Sequence, residues 1–182
     1  KIVTAMAGLE NGAITADTTY LDEGEYFLES CEDKSTCRFQ NAGAQPHGEV
    51  DLPTAIAVSS DVYFYSLGER FISEEGLPED GIQQTAAEFG FGSPTGIPLS
   101  VEVPGVIASR DNRERLIAGR GGLRPWQTGD NVNTAIGQGD MQATPLQLAN
   151  AYATLANGGR RHQPNLLQAV YGRTETGVPV KV

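Results

Sequence analysis

Between Asp51 and Phe71 the sequence spells two helices separated by a break, and this pattern limits the folds open to the chain. Asp51 is a good N-cap and Pro53 falls in the first turn, so a helix is expected from Leu52 to about Val58. Ser59-Ser60-Asp61 interrupts it, because short polar side chains compete for backbone hydrogen bonds and favour breaks and caps. A second helix comes next, with Phe64, Leu67 and Phe71 at i, i+3 and i+7. Gly76 and Pro78 end that segment.

The rest of the chain supplies further helices and short extended pieces. Residues 1–10 read as a helix already under way, with Ile2, Ala5, Met6 and Leu9 on one face. Residues 11–50 are polar and Gly-rich, with β-like pieces at Thr18–Leu21 and Tyr26–Leu28. Residues 82–90 read as a short helix ending at Gly90, and 101–130 as mostly loop. Thr144 caps a strong helix with Pro145 in first position, and Gly158-Gly159 stops it after Asn157. Leu148, Tyr152 and Leu155 are expected to form its buried stripe. β-Like runs at Leu166–Tyr171 and Val178–Val182 complete the chain.

Length and charge narrow the function classes. The 182 residues suffice for one domain with a sizeable core. The net charge is −10, from 13 Lys plus Arg against 23 Asp plus Glu, and so acidic a surface repels phosphate backbones. Nucleic acid is therefore not an expected partner. Arg110, Arg113 and Arg115 alternate with Asp111 and Glu114 and read as a solvated polar loop, beside a second basic pair at Arg160 and Arg161. No apolar run approaches the roughly 18 residues that read as a membrane span. Cys31 and Cys37 stand six apart, an uncommon zinc spacing, and only His47 and His162 could assist, so no metal and no cofactor is expected. A short-loop disulfide and two free thiols both remain open for the cysteines.

Five ordered segments give the helix break a setting. His47-Gly48-Glu49-Val50-Asp51-Leu52 through Ser59-Ser60-Asp61-Val62-Tyr63-Phe64-Tyr65 resembles the second active-site motif of penicillin-binding proteins, where Ser-x-Asn opens a helix. Lys1-Ile2-Val3-Thr4-Ala5 with Gly8-Leu9-Glu10-Asn11-Gly12 is similar to the helix that carries the family's first motif, with Lys1 as the lysine of Ser-x-x-Lys. Phe89-Gly90-Phe91-Gly92 and Thr95-Gly96-Ile97-Pro98-Leu99 resemble a turn of the class B members. Pro125-Trp126, Gly129-Asp130 and Ile136-Gly137-Gln138-Gly139 resemble the elongation-type branch. Thr144 through Gly159 is the most specific match.

Departures from the pattern are informative. No Ser is followed three residues later by Lys, and no Lys is followed by Thr-Gly. Glu175-Thr176-Gly177 reads as a loop coincidence, and Val180-Lys181-Val182 as the approach to the missing third motif. Asp61 stands where the family usually has Asn, and the elongation-type branch often carries Asp there. The resemblance thus implies that 1–182 is part of a transpeptidase domain, cut at both ends. It implies an α/β architecture, the serine β-lactamase and penicillin-binding transpeptidase fold, here an α-rich subdomain with a partial antiparallel sheet.

The same resemblance implies acyl transfer through a serine ester, using peptidoglycan stem peptides as substrates, with β-lactam antibiotics mimicking the donor. A serine hydroxyl needs a nearby base, and a lysine one helical turn later lies on the same helix face. By this resemblance Lys1 is the base, Ser59 relays a proton to the leaving amine, and Asp61 holds Lys1 and the substrate peptide. An anionic Asp61 beside Lys1 favours the ammonium form, which opposes the base role. Gly137, Gln138 and Gly139 are candidates for a substrate-binding loop, although tight turns also call for glycine. His47 and Trp126 read as packing or loop anchors. The implied location is the extracytoplasmic face of a bacterial membrane, held by an N-terminal helix beyond this chain, with cell-elongation proteins as partners. The alternatives are a non-catalytic penicillin-recognising sensor or interaction domain and, with the same fold, a β-lactamase.

Overall fold

The computed structural model describes residues 1–120, 124–173 and 179–181. Four short strands come after the first helix: α1 (Ile2–Glu10), then β1 (Tyr20–Asp22), β2 (Glu25–Phe27), β3 (Arg38–Gln40) and β4 (Gly48–Val50), with a 3-10 turn at Ala42–Ala44. Next come α2 (Leu52–Ala57), α3 (Asp61–Ser73), α4 (Gly81–Glu88), α5 (Arg110–Arg120), α6 (Thr128–Ala135) and α7 (Pro145–Ala156), then β5 (Tyr171–Arg173) and β6 (Pro179–Lys181). Among the described residues the strands form three antiparallel pairs, β1 with β4, β2 with β3 and β5 with β6. Tyr20 pairs with Val50 and Tyr26 with Phe39. Among the described residues no helix is long and apolar enough to cross a membrane.

α3 is the central element. Phe64, Leu67 and Phe71 are essentially inaccessible and pack with Ala5, Ala7, Ile14, Val50, Leu52, Ile82 and Ala135. The opposite side of α3 gives Val62 and Tyr65 to a second cluster with Tyr26, Leu28 and Val132. α3 and α6 approach closely at Gly68, where an added Cβ would lie 2.7 Å from the Ala135 Cβ. Asn131 Nδ2 donates to the Gly68 carbonyl at 2.8 Å and locks this crossing. Cys31 and Cys37 form a disulfide in the connection between β2 and β3.

Capping residues act where the sequence puts them. The Asp51 carboxylate accepts from Thr54 N at 2.9 Å, and Thr144 Oγ1 accepts from Gln147 N at 3.1 Å. Gln147 returns the bond to Thr144 N at 2.8 Å, completing a capping box. Its Nε2 also donates to the Ser93 and Pro104 carbonyls at 2.8 and 2.7 Å, tying α7 to two loops.

Several expectations are corrected. Residues 101–130 are not mostly loop, since they hold α5 and the start of α6. α5 lacks a clear apolar stripe, so hydrophobic periodicity does not reveal it. Arg113 is not solvated: it is 7% exposed, pairs with Asp130 at 3.3 Å and Asp140 at 2.5 Å, and lies over the Trp126 ring. On α1 the buried positions are Thr4, Ala5, Ala7 and Gly8, while Leu9 is exposed. On α7 the buried positions are Gln147, Ala151 and Thr154, and Leu148, Tyr152 and Leu155 are exposed. β3 and β4 are unexpected, and residues 166–170 are not a strand. The strand expected at 178–182 is present over Pro179–Lys181, and Val178, Val182 and Glu175-Thr176-Gly177 lie outside the described residues.

Asp130 gives the fold a pH dependence. Burial disfavours its charge, but hydrogen bonds from Arg124 and Gln127 N and the charges of Arg124 and Arg113 outweigh that and hold its carboxyl below the usual range. Its stabilising effect is complete above the usual carboxylate pKa of about 3.9 and fades as pH falls through the depressed value. Asp130→Asn is expected to cost about 3 kcal/mol at neutral pH, because it leaves a buried guanidinium short of a partner. The same variant loses less stability than the unsubstituted chain between about pH 4 and pH 2, as urea titrations at the two pH values will measure.

Candidate active site

Two helix ends build the site. α1 begins just after Lys1, and the α2–α3 junction carries Ser59 and Asp61. Ser60 caps α3 by accepting from Tyr63 N at 3.1 Å. Ser59 sits at φ 59°, a left-handed conformation that costs a residue with a Cβ about 1–2 kcal/mol. This turn separates two helices and exposes the Ser59 side chain.

Lys1 reaches across 58 residues of sequence to that turn. Its Nζ donates to the Ser59 carbonyl at 2.7 Å, donates to Ser59 Oγ at 2.7 Å and pairs with Asp61 Oδ1 at 2.6 Å. These three acceptors match the three hydrogens of an ammonium group. Since Ser59 Oγ accepts from Lys1, its own proton is free for another acceptor. Lys1 and Asp61 side chains are each 20% exposed, so the pair is accessible yet partly shielded from water. Nearby on α3, burial and then the charge of Asp61 push the Tyr65 hydroxyl up to about 12, which keeps it neutral.

The loop after α6 lies on the same side. Thr4 Oγ1 donates to the Ala135 carbonyl at 2.6 Å and joins α1 to the end of α6. Gly137 N then donates to Thr134 O at 2.8 Å, and Gln138 N to Asn133 O at 2.9 Å. Gly137 and Gly139 adopt φ of 82° and 74°, so this turn needs glycine at both places. Lys1 and Gly137 line a cleft of about 310 Å³, whose apolar wall includes Phe91, Met141, Leu148 and Tyr152. Gln138 and Gly139 are exposed beyond its lining. The α7 stripe that the sequence assigns to the core therefore faces this cleft.

Of the expected site residues, Lys1, Ser59 and Asp61 come together, and Gly137 lines the adjoining cleft, which Lys1 also lines but Ser59 and Asp61 do not. His47 and Trp126 lie elsewhere, the latter under Arg113. Sequence reasoning missed Asp22 and Asn41, which hold the turn by accepting from Ser60 Oγ and Asp61 N. Asp22-x-Gly24 carries only a turn signal, which the Gly24 N bond to Asp22 Oδ1 at 2.8 Å satisfies.

Known proteins share this arrangement of segments. The family model for the penicillin-binding protein transpeptidase domain matches residues 1–182. The peptidoglycan D,D-transpeptidase MrdA of Haemophilus influenzae is 36% identical over 172 residues, which is 94% of this chain and 24% of that protein. The chain thus spans about a quarter of the length of the curated relatives it matches. The structure of Pseudomonas aeruginosa PBP2 in complex with WCK 5153 superposes with a TM-score of 0.76 at 32% identity, over 90% of this chain and 34% of that one. The complex of PBP2 with MreC from Helicobacter pylori gives 0.76 at 29% identity, over 91% and 28%. With the whole chain matched by one family model and its fold reproduced by PBP2 structures, this protein belongs to the penicillin-binding protein transpeptidase family, in its PBP2/MrdA-type branch.

Proposed function

We propose that this chain forms the α-rich side of the active site of a peptidoglycan D,D-transpeptidase. The observation that carries this reading is the convergence of Lys1 Nζ, Ser59 Oγ and Asp61 Oδ1 within 2.7 Å. Part of the domain lies beyond the chain in this reading, which rests on the missing Ser-x-x-Lys and Lys-Thr-Gly motifs. The nucleophilic serine then stands three residues before Lys1, one helical turn away on the same face.

Each residue has a role in the acyl transfer. The serine Oγ attacks the carbonyl of the D-Ala–D-Ala bond of a stem peptide, and a neutral Lys1 takes its proton. In that neutral form, two N–H groups stay on Ser59 O and Asp61, and the lone pair is left for the nucleophile. Ser59 Oγ passes a proton to the departing D-Ala nitrogen and is replenished from Lys1. The acyl-serine ester then reacts with an amine of a neighbouring strand, and the crosslink forms. Asp61 fixes the direction of Lys1 and offers a carboxylate to the substrate. The Gly137-Gln138-Gly139 turn borders the bound peptide.

β-Lactams would acylate the same serine. The elongation machinery is the proposed protein partner, in keeping with the relative seen with MreC. The proposed location is the outer face of the cell membrane, with the anchor outside this chain. A fluorescent penicillin tests the reading. The encoded protein that carries this chain should label covalently, and the isolated 182-residue chain should not. An unlabelled encoded protein that is folded would favour a non-catalytic sensor or interaction domain, and a labelled chain would overturn the placement of the nucleophile before Lys1.

A further inference from the structure

A buried polar network holds the Ser59-Ser60-Asp61 turn through contacts in which Lys1 takes no part. Asp22 at the end of β1 is 0% exposed, Asn41 after β3 is 3%, and Ser60 is 0%. The Asp22 carboxylate accepts from Gly24 N at 2.8 Å, from Asn41 Nδ2 at 2.8 and 2.9 Å, and from Ser60 Oγ at 2.5 Å. Asn41 Oδ1 accepts from Asp61 N at 2.8 Å and Val62 N at 3.0 Å. Asn41 Nδ2 also donates to Gln45 O at 2.7 Å. The amide cannot be turned round, because backbone N–H groups only donate and so demand its oxygen.

This network exceeds what a helix start requires. One Ser side chain ordinarily caps a helix, and the remaining first-turn N–H groups meet water. Here Asn41 and Ser60 together satisfy the N–H groups of Asp61, Val62 and Tyr63, and both are tied to one carboxylate. Burying that carboxylate is costly unless it is fully hydrogen-bonded, and its four contacts meet this demand with no cation among them. The outcome is mechanical: the backbone of Asp61, whose side chain holds Lys1, is fixed by β1 and the segment after β3. The left-handed Ser59 is clamped between Ser60 N on Ala55 O at 2.9 Å and this anchor.

We propose that Asp22 and Asn41 are positioning residues, which set the register of Ser59 and Asp61 against Lys1. The inference rests on the transpeptidase reading for its effect on rate, but its structural part stands alone. Neither side chain touches the reacting atoms. Loss of either lets the α3 N-terminus shift, and a misplacement of about 1 Å can cost as much as roughly 100-fold in rate.

Acylation by benzylpenicillin, resolved into reversible binding and the chemical step, tests this in the encoded protein. Asn41→Ala is expected to slow the chemical step by roughly 10- to 100-fold while the dissociation constant moves less than about threefold. Asn41→Asp sets two carboxylates against each other and should be at least as slow. Adding Asp22→Asn to Asn41→Asp restores a donor–acceptor pair and should recover part of the loss, since one Asp22 contact stays unmade. Amide hydrogen exchange of the chain itself gives a second readout: Asp61 and Val62 lose protection in Asn41→Ala while the centre of α3 keeps it. A folded Asn41→Ala with acylation within twofold of the parent overturns the positioning role, as does a double variant no faster than Asn41→Asp. Should Asn41→Ala not fold, the pair of Asn41→Asp and its double variant decides. If the parent never acylates, the transpeptidase reading fails and hydrogen exchange alone decides the network, with unchanged protection at Asp61 and Val62 overturning it.

Discussion

Lys1→Ala in the encoded protein abolishes measurable labelling by fluorescent penicillin, with the acylation rate falling by roughly 10²- to 10⁴-fold. Lys1 Nζ bonds Ser59 Oγ, and in the proposed mechanism it also takes the proton of a nucleophile one turn earlier on the helix. Alanine keeps the helix and removes the amine, so a folded but silent enzyme is expected. Methionine in its place would retain the side-chain stem without the charge and should be equally silent. Stopped-flow acylation at several penicillin concentrations checks this, and labelling within tenfold of the parent would refute the base role. Asp61 loses its cation in either variant, so a small gain or loss of melting temperature accompanies the change without accounting for it.

Ser59→Gly is expected to move activity and stability in opposite directions. The Ser59 backbone sits at φ 59°, where glycine meets no steric penalty, so the substitution should stabilise the fold by about 0.5–1 kcal/mol. It also removes the hydroxyl that takes a bond from Lys1, and acylation should slow by about 10²-fold. Strain of this kind persists at functional sites where the surroundings over-determine it, and here Ser60, Asn41 and Asp22 do so. Thermal melts and acylation rates on the same preparation test both halves. A variant that is both less stable and fully active would show that the turn serves the fold alone.

The legible parts of the fold were those written in local signals. Asp51 with Pro53, Thr144 with Pro145, and the Phe64, Leu67, Phe71 stripe all act over a few residues, and each behaves as read. Other features depend on distant partners. Arg113 is buried by Asp130 and Asp140, 17 and 27 residues away, so its neighbours in sequence said only that it was polar. The Leu148, Tyr152, Leu155 stripe has the helical period of a core face but borders the cleft, because period reports a shared face and not what covers it. The site divides the same way. Ser59 and Asp61 were visible as a helix break, whereas their meeting with Lys1 over 58 residues was implied only by family resemblance. Asp22 and Asn41 gave no signal of their kind, since their bonds to the turn span 38 and 20 residues.

The mechanism turns on which serine carries the acyl group. Peptide mapping by mass spectrometry of the penicillin-treated encoded protein measures this directly. The expected adduct is a single penicilloyl group on a serine three residues before Lys1, absent from the Lys1→Ala variant. An adduct on Ser59 or Ser60 would contradict the mechanism, because it would make the relay or the cap the nucleophile.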